Sequence, residues 1–452
     1  MKSFGLSRTT PLLAALTMVG AAAQPPARPP GAVTHAQQVS AIRAAARAIA
    51  GDSGYEALLA AAGQTRRVML GEQTHGTHEF YRERGRLTER LIRDHGFNAV
   101  AIEGDWSPTW RVNQYVRGLG SDRSAEQALG GYGKFPRWMW RNAEFRDFVE
   151  RLRALNLSRP PAERVGLYGM DVYDLFDAAD AAIAYLQRSD PAAAARARQH
   201  YRCFARYDRD PQAYGQATRL ARRSCQTQAA AVLDEVRRLP RPSDPQGAEQ
   251  HFGAIRSAAS VAAGEEYFRT LYSGAYAWNA RDQQMERNVE AIAAHAQALS
   301  GRPGKVVVWS HNSHTGDARA TSAARRGELN LGQLMRQRHG DQALLVGFFT
   351  HSGTVMAATE WDFPGRRFEV MRSLPHSHGM LFHDTGIPAF ALMLRGQPAL
   401  RAALSAPMLQ RAIGVIYRSH LERSSHYFEA NLPQQFDAAV FFDRTQAVTP
   451  VR

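Results

Sequence analysis

The sequence predicts an α/β fold: a largely parallel central sheet flanked by helices, with a helical insertion over the crevice at the carboxyl ends of the strands. Three observations predict it. Short apolar runs end in polar residues, helical patterns separate most of those runs, and one long Ala- and Arg-rich stretch lacks the β-branched residues of a strand. With 452 residues and 44% hydrophobic content, the chain can bury the core such a sheet needs.

At the start of the chain, Lys2 and Arg8 accompany the short apolar stretch "PLLAALTMVGAAA", and Ala21, Ala22 and Ala23 precede Gln24. This pattern predicts a signal peptide over residues 1–23. The following "PPARPPG" predicts a flexible Pro-rich spacer over 24–36, so that the folded domain occupies 37–452. A periplasmic or secreted protein follows, with no membrane insertion once the signal is removed, because the apolar run is too short to span a bilayer.

Five segments read as buried strands: 67–70, 99–102, 165–168, 306–309 and 344–348. Beyond them stand, in turn, Glu72 with His75, Glu103 with Asp105, Asp171, His311 with Asn312 and His314, and Thr350 with His351. Ligands bind beyond the carboxyl ends of parallel strands, so these polar groups are expected to converge. Runs at 413–417 and 439–442 are expected to add strands at an edge, and the Ala-rich stretch over about 175–299 is the helical insertion, broken by the loop "RPSDPQG".

The formal charge of +14 comes almost wholly from arginine, the lysines being Lys2, Lys134 and Lys305. No basic run with interleaved aromatics and no nucleic-acid module accompanies it, so the expected partner is a small molecule rather than a nucleic acid, bound by a monomer. Cys203 and Cys225 are the only cysteines. A disulfide and a pair of buried thiols are both open to them.

The chemistry concentrates in two stretches. In "GEQTHGTHEF", Gly71 and Gly76 permit a tight turn from strand to helix, and Thr74 or Thr77 can cap a helix running to about His95. His75 then lies at the helix's positive end, which favours a neutral imidazole able to take a proton from water, and Glu72 can orient it. On that helix Arg84 shares a face with Phe80, Leu87 and Leu91. An inward guanidinium needs a carboxylate, and Glu103 is the expected partner. In "KVVVWSHNSHTGD", His311 and His314 leave a strand end within one turn, and upstream Arg281 shares a helical face with Met285, Val289 and Ile292. The aromatic span "GYGKFPRWMWRNAEF" predicts Trp138 as a wall of the cleft and Phe145 as core.

These motifs resemble the erythromycin esterase family. The family's marks are a G-E-x-x-H-G turn after the first strand, an A-I-E segment about thirty residues on and a distant H-N-x-H strand end, here "GEQTHG", "AIEGD" and "HNSH". The likeness continues through "WMWRNAEF", "LYGMDVY", "NARDQQM", "LNLGQLMR" and "QQFDAAVFFD", and the later segments look closest to the branch labelled succinoglycan biosynthesis proteins. The resemblance implies a hydrolase, without metal or other cofactor, that opens macrolactone esters with His-activated water. It puts the general base on His75, the carboxylates on Glu72 and Glu103, the cationic helix residue on Arg84, paired imidazoles on His311 and His314, and an Arg at Arg281. Gln73 departs from a position where the family commonly keeps a small residue, and the export signal departs from its cytoplasmic members.

Ester or lactone cleavage is therefore the expected reaction. His75 takes the proton from water, His311, His314 or Arg281 stabilises the oxyanion, and Trp138, Asp171 and Arg281 contact substrate. No G-x-S-x-G elbow is present to supply a serine nucleophile. Two other readings use the same cluster: a metal-dependent hydrolase, since His and Glu are ligand types for zinc, and a binding or polysaccharide-biosynthesis accessory protein without turnover.

Overall fold

A parallel sheet covered by helices buries its strands on both faces, and four strands here have every residue buried. They are β2 (Arg67–Leu70), β3 (Ala99–Ile102), β4 (Gly166–Gly169) and β5 (Val306–Trp309). The computed structural model describes residues 33–221 and 223–451. The remaining strands are β1 (Arg47–Ala48), β6 (Ala343–Ala357), β7 (Arg366–Val370), β8 (Ala389–Met393), β9 (Met408–Arg411), β10 (Tyr427–Ala430) and β11 (Ala438–Thr445). The main sheet runs β1-β8-β11-β6-β2-β5-β3-β4, with β7 on β6. It is parallel from β11 to β4 and antiparallel at β8, β1 and β7.

Strand alternation sorts the core into two layers. Val68, Leu70, Val100, Ile102 and Trp309 pack with Phe80, Leu87 and Phe148 of the helices His78–His95 and Ala143–Leu157. Met69, Ala101, Val306 and Val308 pack on the other face with Met285, Val289 and Ile292 of the helix Ala275–Ser300. Among the described residues no helix is long and apolar enough to cross a membrane.

Several expectations need correction. The signal over 1–23 and most of the spacer lie outside the described residues, but Thr34 already caps a helix, His35–Ala45, so order begins before residue 37. The strand expected over 344–348 continues to Ala357, because β7 pairs with its second half, and Thr350 and His351 are therefore mid-strand. The run 439–442 belongs to β11, which lies inside the sheet between β6 and β8 rather than at an edge. Residues 413–417 make only isolated bridges, Ile413 with Thr74 and Ile416 with Ala358.

Within the helical stretch, helices from Leu175–Ser189 to Pro245–Thr270 build a core of their own around Leu175, Tyr214, Val232 and Val261. The helix Ala275–Ser300 returns to the sheet and carries Arg281 to the crevice, which the bundle itself meets at Asp177. Cys203 and Cys225, 22 residues apart, are joined in a disulfide inside this bundle. Closing a loop of that length stabilises by about 3 kcal/mol through the unfolded chain. Reduction under native conditions is expected to lower the melting temperature, and a Cys203→Ser/Cys225→Ser variant should melt at the same lowered temperature with or without reductant.

Candidate active site

Each turn leaving the carboxyl edge of the sheet is fixed by a backbone constraint. After β2, the Gly71 amide donates to the Val346 carbonyl at 2.8 Å, and a Cβ at residue 71 would stand 2.0 Å from Asn312 Oδ1. Asn312 in turn donates from its side chain to the Phe348 carbonyl, and its backbone N–H donates to the Glu72 carbonyl at 2.7 Å. The two motif turns are thus bonded directly to each other. Gly71→Ala should displace Asn312 and separate them. A circular dichroism melt with an activity assay checks this, and a fully active, wild-type-stable variant would refute it. Neither threonine caps the following helix as expected: Thr77 occupies the N-cap without a side-chain bond to the backbone, and the Thr74 and Thr77 hydroxyls bond each other.

His75 is held from one side only. Its Nδ1 faces Glu72 Oε1 at 2.9 Å, so that Nδ1–H donates to the carboxylate. Glu72 Oε2 accepts from Arg84 Nη2 at 2.9 Å. Arg84 is fully buried, and its guanidinium lies 4.5 Å from the Tyr81 ring centroid and 4.9 Å from that of Trp309, whose faces stand in for further hydrogen-bond acceptors. Glu103, the partner expected for Arg84, belongs instead to Arg281. The reason is reach: Glu72 follows β2 directly, on the strand that packs under the Arg84 helix.

The second half of the site is a charged lattice. Arg281 donates from Nε and Nη2 to both oxygens of Asp171, at 2.8 and 2.6 Å, and from Nη2 to Glu103 Oε1 at 2.9 Å. Glu103 Oε2 accepts the His311 backbone N–H at 2.7 Å. His314 Nδ1 donates to Asp282 at 2.8 Å, while its Nε2 lies 2.9 Å from Arg281 Nη1 and 3.3 Å from Glu103 Oε1. Trp278 stacks on the His314 ring with centroids 4.6 Å apart. Burial opposes ionisation of Glu103, but His314, Arg281, His75 and the His311 amide outweigh it and hold the carboxyl well below its usual range.

The two histidines of "HNSH" are driven in opposite directions. Burial, with His75 and His314 nearby, pushes His311 down to about 3, so it is neutral. Its ring is fully engaged: Nε2–H donates to the Gln73 carbonyl at 3.0 Å, and Nδ1 accepts from Ser313. Burial also disfavours charge on His314, but Asp282 and Glu103 overcome it and raise its pKa. His314 is thus the more readily protonated of the two and packs beside Arg281, whereas His311 positions the turn and lies against His75 with ring centroids 4.9 Å apart.

His75, Glu103, Asp171, Arg281, His311 and His314 line one cavity of about 460 Å³. Glu72 and Arg84 stand behind His75, fully buried. Trp138 is not in this cavity: it packs behind Gly76 and Gly365 and lines a different depression. Two residues along its one-turn helix, Trp140 lines the cavity instead and donates to the Glu103 carbonyl at 3.0 Å. Phe145 is fully buried against Trp140 and Trp309. Sequence reasoning missed Asp282 and Trp278, although one adjoins Arg281 and the other precedes it by one helical turn. Among the described residues no three His, Cys, Asp or Glu side chains are grouped to hold a metal ion.

The family model for erythromycin esterases matches residues 92–445, which contain Glu103, Arg281, His311 and His314; the turn bearing Glu72 and His75 precedes the match. Three solved structures share the fold. A Bacillus cereus protein has a TM-score of 0.77 at 17% identity, covering 93% of this chain and 100% of that one. A succinoglycan biosynthesis protein has a TM-score of 0.74 at 19% identity, with the same coverage of 93% and 100%. The erythromycin esterase EreC, a histidine-to-asparagine variant in its open conformation, has a TM-score of 0.60 at 16% identity, covering 86% of this chain and 93% of that one. These identities establish a common fold, while the family match spans most of the chain. The chain belongs to the erythromycin esterase family, a family of hydrolases.

Proposed function

We propose that the protein is an exported hydrolase that cleaves an ester or lactone by water activated at His75. One observation carries this reading: Nδ1 of His75 is fixed by the Glu72–Arg84 relay, while among the described residues no group bonds its Nε2, and the residue lines the cavity. Water placed at Nε2 gives its proton to the ring as its oxygen bonds to the acyl carbon. The carbonyl oxygen takes the negative charge, and Arg281, held beside His314, supplies the positive charge to stabilise it. Collapse breaks the bond to the alcohol oxygen, which leaves with the proton that His75 returns. Glu72 stabilises the imidazolium in between. Export is supported by the signal-like sequence at 1–23, and the Cys203–Cys225 disulfide fits an oxidising compartment.

The test is hydrolysis of simple lactones, macrolides and acylated sugars in ¹⁸O-labelled water, with and without chelator. The expected result is chelator-independent turnover with label in the product acid and none in the protein. A covalent acyl-enzyme trapped during turnover and seen by mass spectrometry, or activity lost to chelator and restored by zinc, would overturn the proposed mechanism.

A further inference from the structure

Trp138, which stands apart from the catalytic cavity, lines a depression of about 320 Å³ together with Lys134, Arg137, Arg141, Asp362 and Gly365. Most of the polar groups here can only donate. Trp138 is 6% exposed, and its Nε1–H has no hydrogen-bond partner. Arg141 is half-buried; its Nε–H has none either, and its guanidinium forms no salt bridge among the described residues. Arg137 is exposed and likewise without a salt bridge. Arg67, Arg336 and Arg395, by contrast, each hold a carboxylate. Lys134 is taken by Asp177 at 2.5 Å. Asp362 is the acidic residue of the lining; burial, then Asp210, raises its pKa, and it pairs with neither arginine.

An indole and a guanidinium donate hydrogen bonds and accept none, so the group that completes them is an acceptor. A buried donor left unmatched is costly, and a guanidinium fork matches the paired oxygens of a carboxylate or phosphate. The room for such a group depends on Gly365. A Cβ there would stand 2.2 Å from Trp138 Cδ1 and 2.6 Å from its Nε1, so any larger residue would cover the edge of the indole that carries the N–H. The backbone bearing Arg141 is also fixed, because its carbonyl accepts the Val451 N–H at 3.1 Å.

We propose that Arg137, Trp138 and Arg141 form a binding site for an oxyanion, the carboxylate or phosphate group of a small ligand, outside the catalytic cavity. The site stands independently of the hydrolase reading. Gly133, Lys134 and Phe135 line both hollows, so a bound anion rests against the segment that also walls the catalytic cavity. A ligand that binds only the folded chain raises its melting temperature.

The experiment titrates glucuronate, glucose 6-phosphate and glucose into the full chain by calorimetry, and follows the melting temperature with each. The first two carry a carboxylate and a phosphate on one sugar frame, and the third is the uncharged control. One or both acids are expected to bind at least tenfold more tightly than glucose and to raise the melting temperature; the tighter of the two identifies the anion. Arg141→Gln should weaken that binding at least fivefold. Trp138→Phe, which removes the N–H and keeps a ring in place, should weaken it about two- to fivefold, and it carries the test if Arg141→Gln fails to fold. Arg423→Gln removes an exposed arginine from the separate helix Glu422–Ser425 and should leave affinity unchanged. Acids that bind no better than glucose, or an affinity untouched by both Arg141→Gln and Trp138→Phe, overturn the inference. So does an equal loss in Arg423→Gln and Arg141→Gln, which would assign the binding to diffuse attraction by the chain's net charge of +14.

Discussion

His75→Ala is expected to lower kcat for ester hydrolysis by about 10²–10⁴-fold with substrate affinity nearly unchanged, the loss characteristic of a positioned general base. The direction follows from where the ring is held. Both nitrogens of His311 are engaged and one face of His314 is covered by Trp278, so neither can replace the missing base. Removing the ring leaves Glu72 bonded to Arg84, and the pair stays neutralised at the end of β2. The fold should therefore survive, with the melting temperature close to that of the wild type. Paired measurements of kcat, KM and binding of a non-hydrolysable ester analogue check this. If kcat fell less than tenfold, the proton would have to leave water by another route, and Glu103 would be the next group to test.

Glu72→Gln gives the finer version of the same argument. The amide still fits beside the Nδ1–H of His75 but no longer offsets the charge of the imidazolium, so the effect should fall on kcat rather than KM. It also leaves Arg84 buried without a counter-charge, with Nε and Nη1 already unpartnered. A drop in stability should therefore accompany the drop in rate, which His75→Ala alone does not produce.

The parts of this site that the sequence made legible are those set by local pattern. Short apolar runs rich in β-branched residues and ended by polar residues fit strands buried on both faces, so the ends of β2, β3 and β5, and with them Glu72, Glu103 and His311, could be placed from local pattern. Helical spacing turned Arg84 and Arg281 inward. What spacing cannot carry is distance between elements. It gave Arg84 a direction but not a partner, and Glu103 went to Arg281, which reaches it from the opposite layer of helices. The interior place of β11 depends on pairing between residues 438–445 and 346–353, a register set across the fold. Trp138 failed for a local reason: two residues along a one-turn helix reverse the facing direction, so Trp140 turned to the cavity and Trp138 away.

The largest loss of stability is expected from Arg281→Leu. The guanidinium neutralises Asp171 and Glu103 together, and both carboxylates are at least 95% buried. Deleting one member of a buried ionic group leaves the others uncompensated, which costs about 3–5 kcal/mol. Activity should vanish as well, because His314 loses its neighbour and the oxyanion its main positive charge. The pH dependence separates this cause from simple loss of packing. Glu103 ionises well below its ordinary 4.5 in the folded protein. Its contribution to stability is therefore present above about pH 4.5, where the unfolded chain also releases the proton, and is lost as pH falls through the lower folded value. Without Arg281, burial acts on Glu103 with less opposition, so its folded pKa rises. The variant should be most impaired at neutral pH and should recover part of its deficit on acidification as Glu103 takes up a proton. Urea unfolding of both proteins between pH 7 and pH 4.5 measures this directly. A deficit constant across that range would assign the loss to packing and leave the ionic lattice without the stabilising part given to it here.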